Sequence, residues 1–124
     1  MAKTTILVVE DERIIAEDIQ FSLEGLGFQV IGVVASGEEA LESAGKNRPD
    51  LVIMDIVLQG AMDGMETTRR LQTEYGIPVV FLTAHTNVDM IKKSGDNKLT
   101  GCVIKPFQEN ELKAAIEKVL GKKG

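Results

Sequence analysis

Four short apolar runs recur along the chain, and each ends in a polar residue of a different kind. Ile6-Leu7-Val8-Val9 leads into Glu10-Asp11-Glu12, and Leu51-Val52-Ile53-Met54 into Asp55. Val79-Val80-Phe81-Leu82 leads into Thr83, and Cys102-Val103-Ile104 into Lys105-Pro106. Unbroken apolar runs of this length predict strands buried on both faces, as in a parallel sheet. Together with a segment near 29–34 they predict strands near 5–9, 29–34, 51–54, 78–82 and 101–104.

Segments of helical period separate the runs, near 13–25, 37–45, 65–75, 87–95 and 109–120. The last is the clearest. Leu112, Ala115, Ile116, Val119 and Leu120 form one stripe, with Glu111, Lys113, Glu117 and Lys118 elsewhere. The first carries Ile15, Ile19, Leu23 and Leu26 in the same way. Ser36-Gly37-Glu38-Glu39 reads as a capping box. Gly27, Gly76, Gly95 and Gly121 fall where helices should stop.

Five βα units in succession predict an α/β fold, a doubly wound parallel sheet with helices on both faces. The common order for five strands is 2-1-3-4-5. Strands one and three are then neighbours, and the winding reverses between them. Ligands bind at the carboxyl edge of such sheets. That edge would collect Glu10, Asp11, Asp55, Thr83 and Lys105.

Size and charge narrow the function classes. The 124 residues fit a single domain, 1–124. A formal charge of −5 argues against non-specific nucleic-acid binding, which depends on clustered Lys and Arg. Cys102 is the only cysteine, so no intrachain disulfide forms, in keeping with a reducing cytoplasm. No apolar stretch reaches the length of a membrane span, and no signal peptide is read at the start.

The predicted edge has a definite chemistry. Two carboxylates about 5 Å apart repel by about 3 kcal/mol at an effective dielectric near 20. Crowded acids must raise a pKa, spread into water or bind a cation. Hard oxygen donors select Mg²⁺, Mn²⁺ or Ca²⁺ over softer metals, and Mg²⁺ typically takes one or two carboxylates with waters and phosphate oxygens. Asp11 and Asp55 can bind directly, Glu10 through water, and a backbone carbonyl just beyond Asp55, such as that of Val57, can complete the set. Acids at strand ends also suit the first turn of a following helix, which is the alternative reading of Glu10-Asp11-Glu12.

Asp55 is the candidate nucleophile, since a carboxylate can attack phosphorus and form an aspartyl-phosphate. A turn residue is the alternative. Thr83 offers a hydroxyl to a phosphoryl oxygen, or else caps a helix. Lys105, between Ile104 and Pro106, can reach across as a point charge, or else snorkel to water.

These residues resemble the receiver domain of two-component response regulators. The resemblance rests on Ile6-Leu7-Val8-Val9-Glu10-Asp11-Glu12, Val52-Ile53-Met54-Asp55, Met62-Asp63-Gly64, Leu82-Thr83-Ala84 and Lys105-Pro106-Phe107, and covers essentially the whole chain. It implies a flavodoxin-like sheet and phosphorylation of Asp55 by a phosphohistidine of a sensor kinase or histidine phosphotransfer protein. It implies Mg²⁺ at Asp11, Asp55 and the Val57 carbonyl, supported by Glu10. Thr83 and Lys105 would contact the phosphoryl group, across a cis Lys105-Pro106 bond. The protein would catalyse only its own phosphorylation and slow dephosphorylation. An output partner, unidentified, would read the face of the predicted fourth helix, fifth strand and fifth helix; a phosphorylation-dependent homodimer stays open.

The chain departs from the family pattern at Cys102, where many receivers carry an aromatic that swings with the threonine. A small thiol cannot transmit the signal by that swing. Val57 and His85 occupy positions that tune loss of phosphate, and Val57 cannot hydrogen-bond an attacking water. Two other functions compete. An Asp-nucleophile phosphatase would want a second acid two residues after Asp55, where Val57 stands. A flavin-binding module would want a Ser/Thr/Gly-rich loop after the first strand, where Glu10-Asp11-Glu12 stands.

Overall fold

In a computed structural model of the chain, residues 3–55, 63–84 and 100–121 are described. Five strands, β1 (Thr5–Val9), β2 (Gln29–Val34), β3 (Leu51–Asp55), β4 (Val79–Thr83) and β5 (Thr100–Ile104), form one parallel sheet in the order β2-β1-β3-β4-β5. The helices described are α1 (Arg13–Gly25), α2 (Gly37–Lys46), α3 (Gly64–Tyr75) and α4 (Glu109–Val119). The expected helix near 87–95 lies outside the described residues, as do Val57, Met62, His85 and Gly95. No described helix is long and apolar enough to cross a membrane.

The apolar runs are continuous because the sheet is covered on both sides. Leu7, Val9, Val52, Met54, Val79 and Phe81 face Ala40 and Ala44 of α2 and Leu71 of α3. The intervening Ile6, Val8, Leu51, Ile53, Val80, Leu82 and Val103 face Ile19 and Leu23 of α1 and Leu112, Ile116 and Val119 of α4. Alternate residues of one strand thus supply two cores. Fully burying an aliphatic side chain contributes about 1.5–3 kcal/mol, so each helix is held mainly by its stripe. Gly101 lets α4 approach β5 closely: a Cβ there would lie 3.0 Å from Val119 Cγ1.

Local signals set the helix ends. Ser36 Oγ accepts from the Glu39 amide at 3.2 Å, while the Glu39 carboxylate reaches back to the Ala35 amide at 2.9 Å, one residue earlier than the capping-box pattern predicts. Asp63 caps α3 by accepting from the Glu66 amide at 2.9 Å. Gly76 closes α3 in the left-handed region at φ 65°, where glycine carries no Cβ penalty. A second reciprocal cap, from the Gln108 amide to the Glu111 carboxylate at 2.9 Å, opens α4. It escapes a search for Ser or Thr.

The amino edge of the sheet is stitched by polar contacts distant in sequence. Asp50 Oδ2 accepts from the Thr5 amide at 2.9 Å and the Thr5 hydroxyl at 3.1 Å. The Arg48 guanidinium donates to the Tyr75 carbonyl through Nε and Nη2, at 3.1 and 2.9 Å, and so satisfies the C-terminus of α3.

Candidate functional site

Strand register assembles the site. Val9 pairs with Met54, so the next residues, Glu10 and Asp55, leave neighbouring strands together. Asp55 pairs with Leu82, and Thr83 with Ile104. The Lys105 amide donates to the Thr83 carbonyl at 2.8 Å, which carries the β4–β5 ladder one residue further and holds the lysine over the edge. Five residues spread over the chain meet because four apolar runs pair in one register. The Lys105-Pro106 peptide is cis, as the resemblance implies.

The three consecutive acids diverge. Glu10 is buried, Asp11 half-buried and Glu12 exposed. None falls in the first turn of α1; Glu12 stands at its N-cap without a side-chain cap, so the helix-end reading fits the position of Glu12 alone and not Glu10 or Asp11. One carboxylate oxygen each from Glu10, Asp11 and Asp55 lies within 4.8 Å of the others. Glu12 has a role that sequence reading missed: its amide donates to Glu10 Oε2 at 3.2 Å and fixes that carboxylate. The only signal for it is its place two residues after a strand-ending acid.

Glu10 concentrates the electrostatic cost. Burial pushes its carboxyl up from 4.5 to about 7, with the Asp55 charge adding to the rise and the Glu12 amide and Lys105 opposing it. Its Oε1 is buried without a hydrogen-bond partner and lies 3.5 Å from Lys105 Nζ, an ion pair rather than a hydrogen bond. A buried oxygen left unsatisfied beside two further acids is the state that a bound cation relieves. The all-oxygen donor set fits a hard divalent ion. The cluster is therefore a ligand set compatible with a divalent metal. Glu10 and Asp11 border a cavity of about 430 Å³, which Arg13, Ala16 and Gln20 of α1 also line.

The remaining candidates sit around this centre. Thr83 is buried, and its hydroxyl donates to the Ala84 carbonyl at 3.3 Å. Lys105 keeps 28% of its side chain exposed, yet its head turns inward to Glu10. Pro106 and Phe107 line a cavity of about 440 Å³ on the α1 side with Ile19 and Phe21. Cys102 is exposed and pairs with Phe81 across β4 and β5, the central pair of that ladder.

Fold and site define a phosphoryl-handling signalling module. The family model for the response regulator receiver domain matches residues 6–117. The chain belongs to that family. Members catalyse only their own phosphorylation and dephosphorylation, and membership implies a histidine kinase or histidine phosphotransfer protein as partner.

Among relatives, the chain is 33% identical over 112 residues to the transcriptional regulatory protein PdtaR of Mycobacterium tuberculosis, covering 90% of this chain and 54% of that protein. It is 37% identical over 111 residues to the DNA-binding response regulator MtrA of Mycolicibacterium smegmatis, covering 90% and 48%. The chain spans about half the length of these curated relatives. Among solved structures, it resembles the signal receiver domain of a modulated diguanylate cyclase from Desulfovibrio desulfuricans G20. The TM-score is 0.87 and the identity 36%, over 98% of this chain and 96% of that one. The PhyR receiver domain of Erythrobacter litoralis follows with a TM-score of 0.84 and 28% identity, over 100% and 95%.

Proposed function

We propose that the protein accepts a phosphoryl group on Asp55 from a phosphohistidine of a sensor kinase or histidine phosphotransfer protein. The reaction depends on Mg²⁺, for which Mn²⁺ can substitute. The observation that carries this reading is the convergence of Glu10, Asp11 and Asp55 within 4.8 Å, with Lys105 on the same edge.

An Asp55 carboxylate oxygen attacks phosphorus. A P–O bond forms, the P–N bond to the donor histidine breaks, and the leaving electron pair stays on the imidazole. Asp11, Asp55 and the Val57 carbonyl would hold the metal, with Glu10 behind them. The metal supplies charge neutralisation at the transferring group. Lys105 gives a point charge and Thr83 a hydroxyl to the phosphoryl oxygens. Attack by water on the acyl phosphate returns free phosphate and the Asp55 carboxylate. With Val57 unable to hold that water, the phosphate lives long. The donor seats over the carboxyl edge, where Ile14 and Phe21 of α1 expose apolar surface at 77% and 78%.

Phosphorylation biases two conformations of the face that β5 and α4 present, and an output partner binds one of them better. With Cys102 in place of an aromatic, the change passes through Thr83 and its own backbone rather than a ring swing. Action in the cytoplasm, with residues 1–124 forming one receiver domain, completes the reading. The test is incubation with Mg²⁺ and a small phosphodonor, followed by intact-mass measurement. One added phosphoryl group is expected in the wild type and none in Asp55→Asn. Equal incorporation in both overturns the assignment.

A further inference from the structure

We propose that the cavity between α3 and the β4–β5 side of the sheet is a second binding site, one that takes a small uncharged ring compound bearing a carbonyl oxygen. The cavity holds about 450 Å³ and is lined by Met65, Thr68, Arg69 and Gln72 of α3, Phe81 of β4 and Thr100 of β5. That is within the size of small-molecule sites, about 300–1,000 Å³. Its described lining includes none of Glu10, Asp11, Asp55, Thr83 and Lys105, so the inference does not rest on phosphorylation. Thr68 marks the place. It is 5% exposed, and its hydroxyl has no hydrogen-bond partner within the protein. The neighbouring Thr67 donates its hydroxyl to the Asp63 carbonyl at 2.7 Å. Bonding back to the previous turn is thus open to a threonine of α3, and Thr68 does not use it.

Thr68 and Gln72 lie one turn apart on one face of α3. Gln72 Nε2 donates to Thr100 Oγ1 at 2.9 Å, across 28 residues. The Thr100 hydroxyl accepts that bond and keeps its own hydrogen to give. Threonine in a helix has two favoured χ1 positions, and a ligand oxygen selects the one that turns the Thr68 hydroxyl toward the cavity. Two hydroxyl donors around one hollow fit a carbonyl oxygen, which has two lone pairs. Met65 and Phe81 give the rest of the ligand an apolar wall suited to a ring. The charges at the rim are already engaged. Arg69 donates to Glu66 through Nε and Nη2, and Asp63 accepts from the Glu66 amide. Asp63 and Glu66 outnumber Arg69, so an anion is disfavoured. The described lining offers no Cys, His or Lys to act on a ligand, so the site binds rather than reacts. Occupancy ties α3 to β5, which makes the ligand an effector of the β5 side of the sheet.

The experiment titrates benzamide and benzoate, one ring without charge and with it, into the whole isotope-labelled chain and follows backbone amide shifts by NMR. Benzamide should shift Thr68, Gln72 and Thr100 along saturating curves, with a Kd in the low millimolar range expected of so small a ligand. Benzoate should bind at least about tenfold more weakly. Thr68→Val and Thr100→Val each remove one donor, and each should weaken benzamide about fivefold. Thr68→Val should also melt no lower than wild type, because it deletes a hydroxyl that has nothing to bond. If it melts lower, that hydroxyl is bonded within the fold and the proposal falls. No saturating shift at the three amides overturns it and leaves a cavity that holds water alone. Unchanged benzamide affinity in both valine variants overturns it too, as does benzoate binding as tightly as benzamide.

Discussion

The two edges of the sheet solve opposite problems. At the amino edge, exposed polar groups are paired: Thr5 with Asp50 and Arg48 with the Tyr75 carbonyl. At the carboxyl edge a carboxylate is fully buried, one oxygen has no hydrogen bond, and two further acids lie within 4.8 Å against a single ion pair to Lys105 at 3.5 Å. The contrast locates function. Pairing at the amino edge stabilises the native state modestly, because water screens it. The electrostatic conflict at the carboxyl edge destabilises the metal-free protein and makes the cluster compatible with a divalent cation.

The largest expected effect that tests this contrast is at Glu10. Its folded-state pKa of about 7 lies above the 4.5 of an unperturbed carboxyl. Such an acid costs nothing below about pH 4.5; its cost grows as pH rises and is complete above about 7. Glu10→Gln should therefore stabilise the metal-free protein at pH 8 by about 3 kcal/mol, and hardly at pH 4.5. Urea unfolding at the two pH values in a chelator decides it, and a gain independent of pH would refute the assignment. Saturating Mg²⁺, at about 100 times its Kd, should stabilise the wild type by about 2.7 kcal/mol at pH 8 and by much less at pH 5, where protonated Glu10 no longer asks for a cation. Melting temperatures with and without the ion measure this.

At the amino edge the sign reverses and the size shrinks. Asp50→Ala removes the acceptor for two Thr5 donors and should cost about 1–2 kcal/mol. It should leave Mg²⁺ affinity unchanged, and any shift in that affinity would mean that the edges are coupled. The smallest effect separates two glycines at helix ends of this edge. A Cβ at Gly25 meets nothing within 4 Å, so Gly25→Ala should stabilise by about 0.5 kcal/mol. At Gly45 a Cβ would lie 3.0 Å from the Tyr75 hydroxyl, so Gly45→Ala should gain nothing or lose. Equal changes at both would show that this packing is slack.

The site was legible largely because the apolar runs were. Once Ile6–Val9, Leu51–Met54, Val79–Leu82 and Cys102–Ile104 are strands of a parallel sheet, the residues that end them share one edge. Shifts of a residue at element ends, as at β4 and α3, left that conclusion intact. What stayed hidden was long-range or depended on burial. The Thr5–Asp50 pair joins residues 45 apart, and no periodicity reports it. The Gln108–Glu111 cap lay outside the usual capping alphabet.

Glu10-Asp11-Glu12 draws the boundary. The residue types and strand spacing alone placed acids, a hydroxyl and a cation at one sheet edge, because a parallel sheet leaves its pairing little choice. The sequence offers Asp11 as a direct ligand and Glu10 as one acting through water, but it does not report how deeply any of the three acids is buried. Only the tertiary structure decided that Glu10 is sealed against Lys105, Asp11 is half-buried and Glu12 lends its amide. The physical reason is that burial and Coulomb energy depend on what surrounds a side chain in three dimensions, whereas strand and helix pattern depend on neighbours along the chain.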